Sequence, residues 1–437
     1  MSKYKLSKYI RIFDDIAEDV ILYNSKNRAI VGIPNSFLKE RNIERIMPES
    51  ELKELEELGF FDEGFTEERK EYTLCNSLIV SVETMLACNL ACPYCYQIGK
   101  KAHTVLSKDS MDSLCKYLEK VWNDFHYKNL VLKVLGGEPS LLWSKTEYVI
   151  NRCKDFCDST GVKLQLMIDT NGTIIKDFTK LIDFPSLLFT VPITHKSCHD
   201  KVRRYPNGRG TYDEILSNLN VLRNKLPKSD IVIRYNVDKN NVGLFSEFVE
   251  DITKKLSFTP ILSPNYTMDL GEGDFHNKLL HHDFVEWLST DCIDVLVKHK
   301  LPVTVAPFSL KQKCQCWSPY SLKLFSNGTV GACAMSFFDD ERPTIDTLVN
   351  GGDMGEKWKS QKSYDVFENI KCSKCPSLFL CGGAYHQPCI KSLNLQECRN
   401  GDSLHINLKE FLKRYLLAVD EGKDDLFVGF NTYDIYK

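Results

Sequence analysis

The sequence predicts an α/β protein: a partial parallel barrel of six strand–helix units, preceded by a small α+β unit and followed by a cysteine-rich region. Three observations carry this. From "SLIVSVET" at residue 77, β-branched runs alternate with stretches of helical periodicity six times over. The first 72 residues follow a different plan, and eleven of the seventeen cysteines gather in two places while six are scattered.

In the front unit, short strands are expected near 8–13, 19–23 and 28–33, with "NSKNR" as a turn and a helix near 49–58. The acidic stretch "DEGFTEERKE" closes it as a linker. Strands are then expected at 77–83, 131–135, 162–169, 186–193, 230–237 and 258–263, and helices at 107–122, 141–157, 174–182, 211–225 and 243–255. Strand–helix alternation of this kind builds a partial (β/α)6 TIM-like barrel. The helix at 211 carries the clearest signal: Thr211 and Glu214 spell a capping box, and Tyr212, Ile215, Leu216, Leu219 and Leu222 share one face. A helix near 282–298 leads into the cysteine-rich region, and "LHINLKEFLKRYLLAV" reads as a terminal helix. The expected division is 1–72 as the N-terminal domain, 73–300 as the barrel, 301–400 as the cysteine-rich domain and 401–437 as helix and tail.

Composition narrows the partners. A net charge of −3 over 437 residues gives no electrostatic footprint for nucleic acid or an anionic membrane surface. No apolar run approaches the roughly 18 residues of a membrane span, and the charged start lacks a signal-peptide core, so a cytoplasmic location is expected. Seventeen cysteines in such a chain point to metal ligands ahead of disulfides.

Within "TMLACNLACPYCYQ", Cys88, Cys92 and Cys95 follow the first barrel strand, at the mouth where α/β barrels build their sites. Four thiolates would saturate a [4Fe–4S] cube or a zinc ion, whereas three leave one iron open to a substrate or cofactor. "CKDFC" shares the first spacing, but Thr160 stands where a third cysteine would be, and Cys153 lies on an apolar face with Val149 and Phe156; it is expected to pack the core.

The CxxxCxxC pattern, with aromatic Tyr94 before its last cysteine, resembles the signature of the radical S-adenosylmethionine (radical SAM) enzymes. The resemblance implies that the open iron of a [4Fe–4S] cluster chelates S-adenosylmethionine. One electron would then cleave the cofactor to a 5′-deoxyadenosyl radical that takes hydrogen from substrate. "VLGGEP" resembles the family's GGE motif, which holds the methionine amino group; Gly136 and Gly137 would let backbone approach a ligand, and Glu138 would accept from its ammonium. "DTNGT" resembles another position near the cofactor, with Asn171 as the contact, and Arg234 in "IVIRYNV" is a candidate for the cofactor carboxylate or for substrate. The fourth strand departs from the pattern. "HD" at His199 and Asp200 matches the family's SxDGPxxxHD segment, but Val191 and Ile193 stand where a serine and an aspartate usually sit. As an alternative to catalysis, His199 and Asp200 are expected to cap the next helix.

Downstream, C-x11-G-x4-C runs from Cys316 through Gly328 to Cys333, followed by C-x2-C-x5-C at Cys372, Cys375 and Cys381, then Cys389 and Cys398. Zinc suits CxxC spacing as well as iron does. The order resembles the SPASM extension, which binds auxiliary iron–sulfur clusters. That resemblance assigns Cys372, Cys375, Cys381 and Cys398 to one cluster and Cys316, Cys333 and Cys389 to another, with Cys314 as a fourth ligand. In "CGGAYHQPC", Tyr385 replaces an expected cysteine, which leaves the first auxiliary set in question.

SPASM enzymes mostly modify peptides and proteins, and the front unit resembles leader-peptide recognition domains that bind by strand addition. The implied function is a radical SAM oxidoreductase that matures a ribosomally made precursor peptide (RiPP maturation) by forming a cross-link, foremost a sactipeptide-type thioether. The implied cofactors are S-adenosylmethionine, its [4Fe–4S] cluster and one or two auxiliary [4Fe–4S] clusters, reduced by a flavodoxin- or ferredoxin-type partner. An anaerobic sulfatase-maturating type is the nearest alternative, against which Ala334 stands where those enzymes usually place an aspartate. Carbon–carbon cross-linking and epimerisation stay open. The non-enzyme alternatives are an iron–sulfur electron carrier and a zinc-binding module.

Overall fold

The computed structural model describes residues 4–62, 76–95, 97, 104–267, 277, 279–307, 316, 318–339, 341–383, 405–428 and 430. Cys75, Cys314, Tyr385, Cys389 and Cys398 therefore lie outside the described residues.

Strands β1 (Ile10–Phe13), β2 (Val20–Asn24) and β3 (Ile30–Ile33) form an antiparallel sheet in the order β1-β2-β3. The helix Glu49–Glu57 buries Leu52 and Leu55 in a separate small core with Val20, Leu22, Ile33 and Phe60. The front unit also docks far along the chain. Tyr9 meets Phe379 edge-on at 4.7 Å, Arg11 Nη2 donates to Ser377 Oγ at 2.6 Å, and Lys8 Nζ donates to the Ser373 carbonyl at 3.2 Å.

The barrel wall is built from β4 (Ser77–Glu83), β5 (Asn129–Leu135), β6 (Lys163–Asp169), β7 (Leu187–Pro192), β8 (Asp230–Val237) and β9 (Ile261–Tyr266), each parallel to its neighbour. All six expected strands are present. The sheet is wider than expected, however. β10 (Leu322–Leu324) adds parallel to β4, and β11 (Val330–Gly331) adds antiparallel to β10, giving the order β11-β10-β4-β5-β6-β7-β8-β9. The wall thus draws strands from beyond residue 300. With only three and two residues, these strands are too short to show a period in the sequence.

Pleat alternation sorts the strand side chains onto two faces. Val80, Val82, Leu132, Leu166, Ile168, Phe189, Val191, Ile233 and Tyr235 join the core with residues of the outer helices. The other face holds Glu83, Lys133, Asp169, Thr190, Arg234, Asn236 and Lys323, so the barrel interior is strongly polar.

The helix Tyr212–Lys225 forms as expected, but not through a capping box. Thr211 makes no side-chain cap; Asp200 Oδ1 instead accepts from Thr211 N at 2.8 Å and Tyr212 N at 2.9 Å, while Glu214 is held by Tyr205 and Arg209. A carboxylate from the preceding helix satisfies the orphan amides and complements the helix dipole. The segment expected as helix 174–182 is a short 3-10 turn at Asp177–Leu181. The stretch 282–298 divides into the helices His281–Ser289 and Asp291–Lys298, and the terminal helix Leu408–Asp420 packs on them through Asn407–Glu286 and Arg414–Asp294 contacts.

Candidate functional site

The cysteine loop leaves β4 and is clamped at once by the β5 loop. Gly137 N donates to the Met85 carbonyl at 2.8 Å, and Glu138 N donates to the Ala87 carbonyl at 2.9 Å. A Cβ at Gly136 would stand 2.3 Å from Met85 O, and one at Gly137 2.1 Å from Ala87 O. The approach of one loop to the other thus leaves no room for a side chain at either glycine.

Glu138 is fully buried, and its carboxylate is committed within the chain. Oε1 accepts from Ser140 N (3.1 Å), Ser140 Oγ (2.7 Å) and Thr170 Oγ1 (2.8 Å), and Oε2 accepts from Asn171 N (2.6 Å). Burial pushes its pKa up and these donors oppose the shift. These bonds tie the β6 loop to the β5 loop. Asn171 carries the connection onward: Nδ2 donates to Asn89 Oδ1 at 2.7 Å and approaches Cys88 Sγ at 3.7 Å, while Oδ1 accepts from Thr173. Asn89 in turn donates to Thr173 Oγ1. Glu138, Asn171 and Asn89 therefore form one hydrogen-bonded path to the first cysteine.

On the other flank lies a residue that sequence reasoning missed. Arg203 is buried, its Nη1 donates to Tyr94 Oη at 2.9 Å, and its Nε–H has no partner among the described residues. Burial opposes its charge, but the contact with Tyr94 outweighs that and its pKa is raised, so the guanidinium stays protonated. Arg204, next in the chain, accepts from Ala91 N at 2.8 Å and pins the loop from the same side. The signal was present in "HDKVRR", which continues the matched His-Asp pair, but arginine in a polar run gives no hint of burial. Below it, Thr194 N donates to His199 Nδ1 at 3.3 Å, which assigns the proton to Nε2 for a 3.1 Å bond to Thr211 Oγ1; Thr211 donates to the Arg203 carbonyl at 2.7 Å. Burial, then Arg203, depresses the His199 pKa well below its ordinary value, so the imidazole is neutral at pH 7. His199 and Asp200 support the loop; neither reaches the cysteines through a described bond.

Arg234 is exposed on the inner face, in register with Pro192 and Ser263, on the opposite side of its strand from Tyr235. Val191 and Ile193 are buried among the core residues. Cys88 is exposed, whereas Cys92 and Cys95 are half-buried and joined by a Cys95 N to Cys92 O hydrogen bond. Burial raises the Cys88 and Cys92 thiol pKa values, so thiolate forms with metal binding and not before it. Among the described residues no three Cys, His, Asp or Glu side chains converge as a single ion would need. A cube spreads its thiolates over separate irons.

Downstream, Cys316 and Cys333 pack together around Ala332. Cys372, Cys375 and Cys381 occupy one helix–turn–helix (Ile370–Ser373, Leu378–Cys381), with Cys375 N bonded to Cys372 O. The spare cysteines behave differently. Cys153 is 1% exposed in the barrel core, and burial pushes the Cys157 thiol up to about 12.

Residues 82–248 match the model of the radical SAM superfamily, and this part of the chain is a radical SAM domain, which makes the protein an enzyme. A curated relative, a cysteine-type anaerobic sulfatase-maturating enzyme of Clostridium novyi (strain NT), is 24% identical over 325 residues, covering 67% of this chain and 83% of its own. The solved structure of native anSMEcpe with bound AdoMet and Kp18Cys peptide superposes with a TM-score of 0.58 at 16% identity, over 80% of this chain and 99% of that one. Streptococcus suis SuiB bound to precursor peptide SuiA gives 0.53 at 14% identity, over 88% and 98%. These likenesses establish a shared fold.

The residues fit the family's cofactors: three cysteines on one mouth loop, and beside them a buried guanidinium whose Nε–H has no partner among the described residues. Cys88, Cys92 and Cys95 would hold the [4Fe–4S] cluster.

Proposed function

We propose that this protein is a peptide maturase that takes a hydrogen atom from a ribosomally made peptide and closes a cross-link, foremost a thioether to a cysteine sulfur. The observation that carries the reading is the three-cysteine loop on a radical SAM domain, clamped from both flanks by Glu138–Asn171 and Tyr94–Arg203. When bound, the cluster and S-adenosylmethionine supply the hydrogen-abstracting radical.

The chain's own residues position and shield. Arg203 offers its Nε–H to the anionic end of the cofactor, a contact that the buried Val191 does not supply. Asn171 and Asn89 hold the Cys88 end of the loop. Arg234, Asp169 and Asn236 line the polar interior where a peptide backbone could be bound. Cys316 with Cys333, and Cys372 with Cys375 and Cys381, supply ligands for auxiliary clusters, which would accept the electron released on bond closure. Support for a peptide substrate comes from the solved neighbours, described as bound to a Cys-containing peptide and to a precursor peptide.

A second reading, sulfatase maturation, is favoured by the curated relative, whose name states that activity. The two are separated by mass spectrometry. Co-expression with a short cysteine-rich peptide should lower its mass by two hydrogens per link, with the loss mapped to a cysteine joined to another residue. Conversion of a lone cysteine in a sulfatase peptide, with the cysteine-rich peptide unchanged, would decide for sulfatase maturation.

A further inference from the structure

The polar barrel interior contains a buried ion pair for which the reaction above has no use. Lys323 is 0% exposed, its Nζ lies 3.5 Å from Glu83 Oε2, and it sits over the Phe325 ring at 4.7 Å. A buried ammonium is expensive even when paired, and an apolar residue would fill the same space at less cost. The pair also occupies a particular junction. Glu83 is the last residue of β4, immediately before the cysteine loop. Its Oε2 accepts from Gln97, two residues beyond Cys95, at 3.0 Å, and its Oε1 accepts from Ser326 N (3.2 Å) and Ser326 Oγ (2.8 Å). Ser326 Oγ also meets Thr104 Oγ1, at the far end of the loop region, at 2.7 Å. The turn at 325–328 leads directly through β11 to Cys333. Main-chain pairing of β10 to β4 covers only three residues, too few to fix this hairpin alone.

We propose that Glu83 and Lys323 form a charge latch that locks the Cys333 hairpin to both ends of the cysteine loop and so sets the spacing of the two cysteine centres. Both are positioning residues. That the latch matters for productive electron transfer rests on the peptide-maturase reading; that it locks the hairpin does not.

The test compares iron-loaded full-length protein with Glu83→Gln, Lys323→Met and the double variant, by hydrogen exchange and by product formed per 5′-deoxyadenosine. The double variant removes both charges, so no buried charge is left unpaired. With a latch, amides of 322–333 in the double variant exchange about ten-fold faster than wild type while the helices of 108–160 do not change. Product per 5′-deoxyadenosine should fall about as much, with cofactor cleavage retained. Wild-type exchange in the double variant, or an equal rise throughout the barrel, would overturn the latch. A loaded wild type that forms no 5′-deoxyadenosine would refute the maturase reading, while the exchange comparison would still decide the latch.

Discussion

Replacing Glu138 by glutamine separates two roles that the sequence motif confounds. The carboxylate accepts four hydrogen bonds and donates none, so an amide cannot satisfy the same set. With its oxygen turned toward Ser140 and Thr170, its NH2 faces Asn171 N, and two donors meet where a 2.6 Å bond had been. With the amide reversed, the two hydroxyls can rotate away but Ser140 N cannot. The gentler orientation loses one charge-assisted bond, about 1.5–3 kcal/mol, and strands a buried N–H at about 1–3 kcal/mol. A total of about 3–5 kcal/mol should lower the Tm of the metal-free barrel by roughly 10 °C. Thermal unfolding of metal-free Glu138→Gln measures this without any cofactor present. An unchanged Tm, together with weaker S-adenosylmethionine binding by the loaded variant, would refute the reasoning and return Glu138 to the role of ammonium acceptor.

Gly137→Ala should prevent iron loading at Cys88–Cys95, because its Cβ would fall 2.1 Å from a backbone carbonyl that cannot move without the loop; an iron count after reconstitution checks it. His199 is held neutral, with its folded pKa depressed, so its contribution to stability is present above the unfolded value near 6.5 and is lost as pH falls toward the folded pKa. Stability should therefore decline below pH 6.5 by up to about 1.4 kcal/mol per pH unit, and His199→Gln should flatten that slope in urea titrations. Cys92→Ala should abolish cofactor cleavage, whereas Cys153→Ala, which removes only one buried sulfur, should cost about 1 kcal/mol and leave cleavage intact. Equal behaviour of these two variants would contradict the separation of ligand from packing cysteines.

The barrel was legible because its strands are long, β-branched and separated by helices with clear periodicity; β4, β6 and β8 fall within a residue of their expected bounds. The additions at β10 and β11 were not, since two or three residues carry no period and their pairing with β4 spans some 240 positions. The cysteine loop could be read because three thiols at fixed spacing are rare. The residues that hold it are ordinary in type, and only the fold brings them together. Gly136 and Gly137 were singled out for close approach, and the fold adds a backbone neighbour that the motif does not reveal. Arg203 passed unremarked in a polar run, although it lies buried against Tyr94. Asp200 was expected to cap a helix and does so, in place of the Thr211–Glu214 box that the local sequence spelled.

The central claim is that three cysteines leave a vacancy for S-adenosylmethionine. Anaerobic reconstitution with iron and sulfide, reduction, and quantitation of 5′-deoxyadenosine test it most directly. The account predicts 5′-deoxyadenosine formation that disappears in Cys92→Ala and persists in Cys153→Ala; a fully iron-loaded wild type that forms none would contradict it.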